Sequence, residues 1–216
     1  MSLNIDEKEV RGKSVIEVGS LNINGSARPI VEAFGPGCYV GVDIQMGPGV
    51  DEICDANHLV ERFGPDRFEL LMSTELLEHT RDWRTVISNF KNVIKPNGVM
   101  LITTRSRGFV YHGYPFDYWR FEKSDMEEIF ADFIIEVIEE DNMLPGIFLK
   151  ARKPQLFLEN DNKNLHIHSI ITGDRIPNIS IVDICWFKVC YTIGPVLASV
   201  VPRTLKSYGR RLFSRQ

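Results

Sequence analysis

Ser14-Val15-Ile16-Glu17-Val18-Gly19-Ser20-Leu21-Asn22-Ile23-Asn24-Gly25 decides how this 216-residue chain folds. A short apolar run, Val15 to Val18, is broken only by Glu17, and a turn rich in Gly, Ser and Asn follows it. Ser26 then stands where a helix N-cap belongs, ahead of a helix over Ala27–Phe34. Strand, tight turn and helix together present backbone N–H groups and a sheet's carboxyl edge to a ligand. Gly19 and Gly25 supply positions without Cβ, and Asn22 and Asn24 tolerate left-handed backbone better than most residues. Seen alone, the stretch reads equally as an ordinary strand–helix turn or as a ligand loop.

Downstream, Gly35-Pro36-Gly37 stops that helix, and Cys38–Ile44 reads as a second buried strand ending on Asp43. An acid at the end of the second strand of a nucleotide-binding βαβ unit accepts hydrogen bonds from both ribose hydroxyls. The alternative is a solvated turn residue before Gly47-Pro48-Gly49. Val50–Cys54 is a third strand, closing on Asp55-Ala56-Asn57 before a helix from about His58 to Phe63. Asp55 could reach an adenine's exocyclic amine, with the next backbone N–H facing a ring nitrogen. It could also serve simply as a helix N-cap. Phe68–Met72 is the fourth strand and leads into Ser73-Thr74-Glu75-Leu76-Leu77-Glu78-His79. A helix over Trp83–Ile94 carries the apolar stripe Val86, Ile87, Phe90, Val93 and Ile94; Lys95-Pro96-Asn97-Gly98 ends it, and Val99–Thr103 is the fifth strand. Strands alternating with helices at these spacings give a parallel, Rossmann-like doubly wound α/β sheet.

These residues together resemble a class I S-adenosylmethionine-dependent methyltransferase of the methyltransferase type 11 kind. The likeness rests on Glu17-Val18-Gly19, Asp43, Cys54-Asp55-Ala56, Glu75-Leu76-Leu77-Glu78-His79 and Lys95-Pro96-Asn97-Gly98 before a strand, and it spans Val15 to Lys153. It implies a seven-stranded sheet, mostly parallel, whose last hairpin is antiparallel; Phe133–Glu140 and Gly146–Arg152 fit those final strands. It also implies S-adenosylmethionine as cofactor, bound by Glu17, Gly19, Ser20, Asn22, Gly25, Asp43, Ile44, Asp55, Ala56, Ser73, Thr74 and Glu75. The first loop departs from the family's pattern of a glycine at every second position.

Methyl transfer from a sulfonium needs the acceptor aligned and water excluded, with a base where the acceptor is a hydroxyl or a protonated amine. His112, His79 and Asp117 are the candidate catalytic groups. His79 equally suits a structural role, bonding backbone at a helix start. The segment Arg105–Phe121 is too aromatic for a solvated loop and too broken by Gly and Pro for a regular element. One account makes it a lid carrying His112 or Asp117 as base, with Arg105 or Arg107 for an anionic group. In the other, Tyr118, Trp119 and Phe121 anchor the loop before a helix over Lys123–Phe130.

Composition bounds what remains. Hydrophobic content of 44% describes a chain with a real core, and a net charge of −4 argues against a nucleic-acid coat. Residues 1–13 lack an apolar stretch of signal-peptide type, so a cytoplasmic protein is expected. Cys38, Cys54, Cys185 and Cys190 show no metal or disulfide spacing and read as buried free thiols; no metal site is expected. Residues 1–154 are read as the S-adenosylmethionine-binding domain and 155–216 as a C-terminal extension of connector, apolar helix and basic tail. Within the extension, Glu159–Asn164 is the connector and Leu165–Ile171 suits an extra edge strand. Ile179–Val201 is apolar apart from Asp183 and a strip of Lys188, Thr192, Pro195 and Ser199; Arg203, Lys206, Arg210, Arg211 and Arg215 follow. The helix could pack on the domain, pair with a second subunit through 179–216, or lie in a membrane interface; Asp183, Lys188 and Gly194-Pro195 argue against a span.

The expected activity is methylation of a small-molecule or glycan-type acceptor, at oxygen rather than carbon. Two alternatives compete: a non-catalytic S-adenosylmethionine-binding module whose tail binds a partner or membrane, and a nicotinamide-dependent dehydrogenase. Asp55 and the Glu75–His79 segment favour the methyl donor over a dinucleotide.

Overall fold

The computed structural model describes residues 4–23, 25–113, 116–141 and 143–200, with side chains as far as Tyr191 in the last helix. Asn24 and the five basic tail residues from Arg203 onward lie outside the described residues. Five parallel strands come first: β1 (Ser14–Val18), β2 (Cys38–Asp43), β3 (Glu52–Ile53), β4 (Phe68–Thr74) and β5 (Ile94–Arg105). A two-residue strand, β6 (Trp119–Arg120), precedes the antiparallel hairpin of β7 (Ile134–Asp141) and β8 (Gly146–Arg152). The main sheet runs β3-β2-β1-β4-β5-β8-β7. Its order reverses between β1 and β4, the position at which such sheets open a ligand crevice beyond the strands' carboxyl ends.

Alternation along the central strands builds two cores. Ile16, Val18, Leu71, Met100 and Ile102 face one way, toward α4 (Trp83–Val93) and α5 (Lys123–Ile129). Val15, Leu70, Met72, Val99 and Leu101 face the other, toward α1 (Glu7–Val10) and α2 (Arg28–Ala33). Of its predicted stripe the fourth helix buries Val86, Ile87, Phe90 and Val93, each contributing roughly 1.5–3 kcal/mol, while Ile94 is buried as the first residue of β5. Lys91 is also buried on that helix, satisfied by the Ile129 carbonyl at 2.6 Å and Asp132 at 2.7 Å.

Several boundaries differ from the sequence expectation. The first helix after the ligand loop begins at Arg28, with Ala27 as N-cap; Ser26 Oγ still accepts from Arg28 N at 3.1 Å. The third strand is only Glu52–Ile53, because the Asp51 carboxylate takes the Gly41 N–H at 2.7 Å and diverts the chain entering it. Ala56–His58 is a 3₁₀ turn leading into α3 (Leu59–Phe63). Lys95-Pro96-Asn97-Gly98 does follow a helix end at Val93, but β5 already starts at Ile94. Pairing then jumps from Phe68↔Ile94 to Leu70↔Val99, so the four residues form a bulge, with Asn97 at φ 64.

The region past 154 also differs. Instead of adding an edge to the main sheet, Ile167–Ser169 (β9) pairs with β6 on one side and Arg175–Ile176 (β10) on the other. Arg84 fastens this region to α4 through the carbonyls of Asn162, Leu165 and Pro177. The last helix, α6 (Ile181–Val200), starts in a reciprocal cap: Asp183 accepts from Ser180 N at 2.8 Å and Ser180 Oγ from Asp183 N at 3.1 Å. Phe187 and Tyr191 of α6 lie against Tyr111, at 5.0 and 5.2 Å between ring centres. Ile181, Val182, Trp186 and Val189 face outward and are exposed. No helix among the described residues is long and apolar enough to cross a membrane. All four cysteines are free thiols, but only Cys54 is buried; Cys38 begins β2 beside a turn and Cys185 sits on the outer face of α6, and both are exposed.

Candidate active site

Parallel pairing brings the ends of β1 to β5 to one edge. Gly19 leaves β1 at φ 79, and a Cβ there would stand 3.2 Å from Leu76 Cβ, so the turn requires glycine. Its N–H and that of Ser20 both donate to the Val42 carbonyl, at 2.9 and 3.1 Å. Ser20 Oγ is buried toward Gly41, a residue on which an added Cβ would come within 2.8 Å of it. Asn22 is occupied within the loop, donating its N–H to the Pro48 carbonyl and accepting from Gly25 N. Glu17 is buried on the α2 side and accepts from the Tyr39 hydroxyl at 2.5 Å; burial raises its pKa.

Asp43 and Asp55 stand at the ends of neighbouring strands, where Asp43 pairs with Ile53 and Cys54 N donates to the Asp43 carbonyl. Asp43 Oδ1 accepts from Gln45 N at 3.1 Å and Oδ2 from Leu21 N at 3.3 Å, which leaves lone pairs on both oxygens. Asp55 Oδ1 caps the 3₁₀ turn through Asn57 N, and Oδ2 makes no hydrogen bond among the described residues. Ile44, beside Asp43, is 55% exposed and offers an apolar surface at the same edge. Ala56 is buried.

Across the switch point the edge is denser. Ser73 ends buried in β4 with its hydroxyl unpartnered, and Thr74 follows half-buried. Glu75 adopts φ 55, a left-handed conformation that costs a non-glycine residue about 1–2 kcal/mol, and ion-pairs with Arg105. Arg105 stacks over Phe109 at 4.1 Å, so of the two arginines considered for an anionic group, only Arg107 is exposed. Glu78 is fully buried; Oε2 accepts from Thr104 Oγ1 at 3.0 Å, while Oε1 has no partner. Burial, and then the charge of Glu75, push its pKa up to about 8.

The three predicted catalytic residues meet here. His112 Nδ1 lies 2.9 Å from Asp117 Oδ2, an electrostatic contact out of hydrogen-bond alignment, and its Nε2 lies 3.9 Å from Glu78 Oε1. Asp117 is fully buried and accepts from Arg120 through both oxygens, at 2.5 and 2.6 Å, and from His112 N at 3.0 Å. Burial acts to raise the Asp117 pKa, but those bonds outweigh it and hold the carboxylate ionised. His79 stacks edge-on to His112 at 4.8 Å, and its Nδ1 lies 2.5 Å from the Phe116 carbonyl; burial lowers its pKa. Its backbone partner is thus the aromatic segment and not a helix start.

Of the two accounts of Arg105–Phe121, the anchoring one holds for the second half of the segment. Tyr118, Trp119, Arg120 and Phe121 are buried anchors, with Trp119 Nε1 donating to the Thr80 carbonyl at 3.0 Å. Arg107, Gly108 and Val110 are exposed; Tyr114 and Pro115 lie outside the described residues. Sequence reasoning passed over Glu78, Thr104 and Arg120. The Asp117-x-x-Arg120 spacing was an available signal for the last.

A sheet of this order with paired acids beyond β2 and β3 is the architecture of class I S-adenosylmethionine-dependent methyltransferases. The chain matches the family model for a methyltransferase domain over residues 4–134 and belongs to that family. No curated protein matches its sequence. Among solved structures it is similar to an S-adenosylmethionine-dependent methyltransferase from Mesorhizobium loti, at 17% identity and TM-score 0.52, covering 67% of this chain and 93% of that one. It is also similar to the 1,6-didemethyltoxoflavin-N1-methyltransferase of Burkholderia thailandensis with bound S-adenosylhomocysteine, at 18% identity and TM-score 0.55, covering 67% and 72%. A third relative in fold is the [4+2]-cyclase SpnF, at 16% identity and TM-score 0.53, covering 67% and 76%. One fold therefore carries different reactions, and the acceptor chemistry must be argued from the site.

S-adenosylmethionine is the family's cofactor, and the edge fits it. Asp43 has open lone pairs for ribose hydroxyls, Asp55 Oδ2 has no partner among the described residues and suits the adenine amine, and Ile44 beside Asp43 is an exposed apolar side chain.

Proposed function

We propose that this methyltransferase acts at the oxygen of a hydroxylated small-molecule or glycan-type acceptor, with His112 as the group that takes the hydroxyl proton. The cofactor supplies a methyl group on a sulfonium, already activated toward displacement. What the chain must add is alignment, exclusion of water and a place for the proton. The observation that carries the reading is the buried Asp117 carboxylate, held ionised by Arg120 and 2.9 Å from His112 Nδ1. A fixed anion at Nδ1 stabilises the imidazolium that forms when Nε2 accepts a proton, as in other carboxylate–histidine pairs. Asp117 thus positions His112, while His79 holds the covering segment through the Phe116 carbonyl.

A base of this kind distinguishes an enzyme from a module that only binds its cofactor. Labelled methyl donor and a panel of phenols, sugars and amines test the reading. Turnover with hydroxylated acceptors, cut by about 10²–10⁴-fold in His112→Asn at unchanged S-adenosylhomocysteine affinity, is the expected result. Equal turnover by His112→Asn would remove His112 as base.

A further inference from the structure

Glu78 is the one carboxylate in this cluster that no cation answers. Arg105 takes Glu75 and Arg120 takes Asp117, yet Glu78 Oε1 is buried without a partner among the described residues. Two imidazoles converge on the same place, and ligand atoms of Glu78, His79 and His112 all lie within 4.8 Å of one another. The His79 Nδ1 is engaged by the Phe116 carbonyl, and the His112 Nδ1 faces the Asp117 carboxylate at 2.9 Å without a hydrogen bond, while the His112 Nε2 lies 3.9 Å from Glu78 Oε1. Orienting one ring nitrogen by a carbonyl or carboxylate is how metal-binding histidines are held.

We propose that Glu78, His79 and His112 bind a divalent first-row transition ion. Two imidazoles and one carboxylate suit Mn²⁺, Fe²⁺, Co²⁺ or Zn²⁺ better than Mg²⁺ or Ca²⁺, which favour all-oxygen shells. Three protein ligands leave coordination positions open, and an acceptor hydroxyl placed there loses its proton more readily. This rests on the reading of the site as a hydroxyl-methylating centre, keeps its acceptor class and replaces His112 as the base. One lone pair cannot serve twice, so with the ion bound His112 is a ligand, and activation passes from proton acceptance to Lewis acidity. The hydroxyl proton leaves to water and its electron pair stays on oxygen. That oxygen then bonds to the methyl carbon as the carbon–sulfur bond breaks toward sulfur.

The test uses full-length protein, free of any affinity tag and stripped with chelator, titrated with Co²⁺ while its visible spectrum is recorded. Binding of S-adenosylhomocysteine is measured on the same samples by calorimetry. One Co²⁺ per chain with ligand-field bands is expected. Glu78→Gln and His112→Gln should each weaken it by more than about 100-fold, the upper end of what losing a supporting partner alone costs. Retained S-adenosylhomocysteine affinity certifies that both variants fold. Failure of the wild-type protein to take up Co²⁺ overturns the inference. So does equal affinity in Glu78→Gln, which would place the ion elsewhere on the protein. Co²⁺ bound without S-adenosylhomocysteine would leave the metal site standing and sink the donor reading instead.

Discussion

Two glutamates flank β4, one at its amino end and one just past its carboxyl end, and they live under opposite rules. Glu69 accepts from Ser14 N at 2.8 Å and pairs with Lys95 at 2.8 Å, tying β1 and the β5 bulge to β4. Burial works against its charge, but those bonds prevail and draw its pKa down to about 2. Glu78 is buried with one oxygen unpartnered, and its pKa rises to about 8. The amino edge spends its charges on holding strands together. The carboxyl edge keeps a carboxylate in an environment that disfavours it, which a fold tolerates where a ligand or a reaction makes use of the charge.

The sharpest way to break this contrast is Arg120→Ala. Removing the guanidinium would leave the fully buried Asp117 uncompensated, at a cost of about 3–5 kcal/mol measurable by urea denaturation. A loss no larger than that from a surface substitution would mean the carboxyl edge is not a buried charged network. Next in size is Asp43→Ala, expected to weaken S-adenosylhomocysteine binding by about 1–3 kcal/mol in calorimetry. Unchanged affinity would take the ribose contact away from β2. Gly19→Ala should lower stability by about 1–2 kcal/mol in a thermal melt, because φ is 79 and Leu76 crowds the added methyl.

The smallest effect belongs to Glu69→Gln, below about 1 kcal/mol at neutral pH because the pair with Lys95 is part-exposed. Its pH signature is the informative part. A folded-state pKa of about 2, against an ordinary 4.5, means the stabilisation is present above about pH 4.5 and fades as pH falls toward 2. Glu69→Gln should therefore flatten the acid limb of the stability curve, and an unaltered limb would assign acid loss to other carboxylates.

Legibility in the sequence followed the range of the interactions. Period-two and helical patterns gave the strands and α4, since burial on one face is written locally in Val86, Ile87, Phe90 and Val93. Asp43 and Asp55 could be named because one ends its strand and the other follows its strand by two residues, where parallel pairing must bring them to one edge. His112 and Asp117 could be picked out by residue type, but their meeting with Glu78 depends on a loop returning from β5. Glu78 belongs to the Glu75–His79 segment, yet its burial is not written there. Nothing local distinguishes a buried glutamate from a solvated one three residues after Glu75. Lys91 escaped for the same reason, its partner Asp132 being 41 positions away. The bulge at Lys95–Gly98 mimicked a helix terminator because Pro, Asn and Gly serve both purposes.

Tyr111 meets the stacked rings of Phe187 and Tyr191 at a tilt, and that contact has one more consequence. The residue next to His112 is clasped by a helix that the methyltransferase family match, ending at residue 134, does not include. The loop that carries His112 thus takes part of its support from outside the shared scaffold, and a change in that appended helix would reach His112 without touching Asp43 or Asp55.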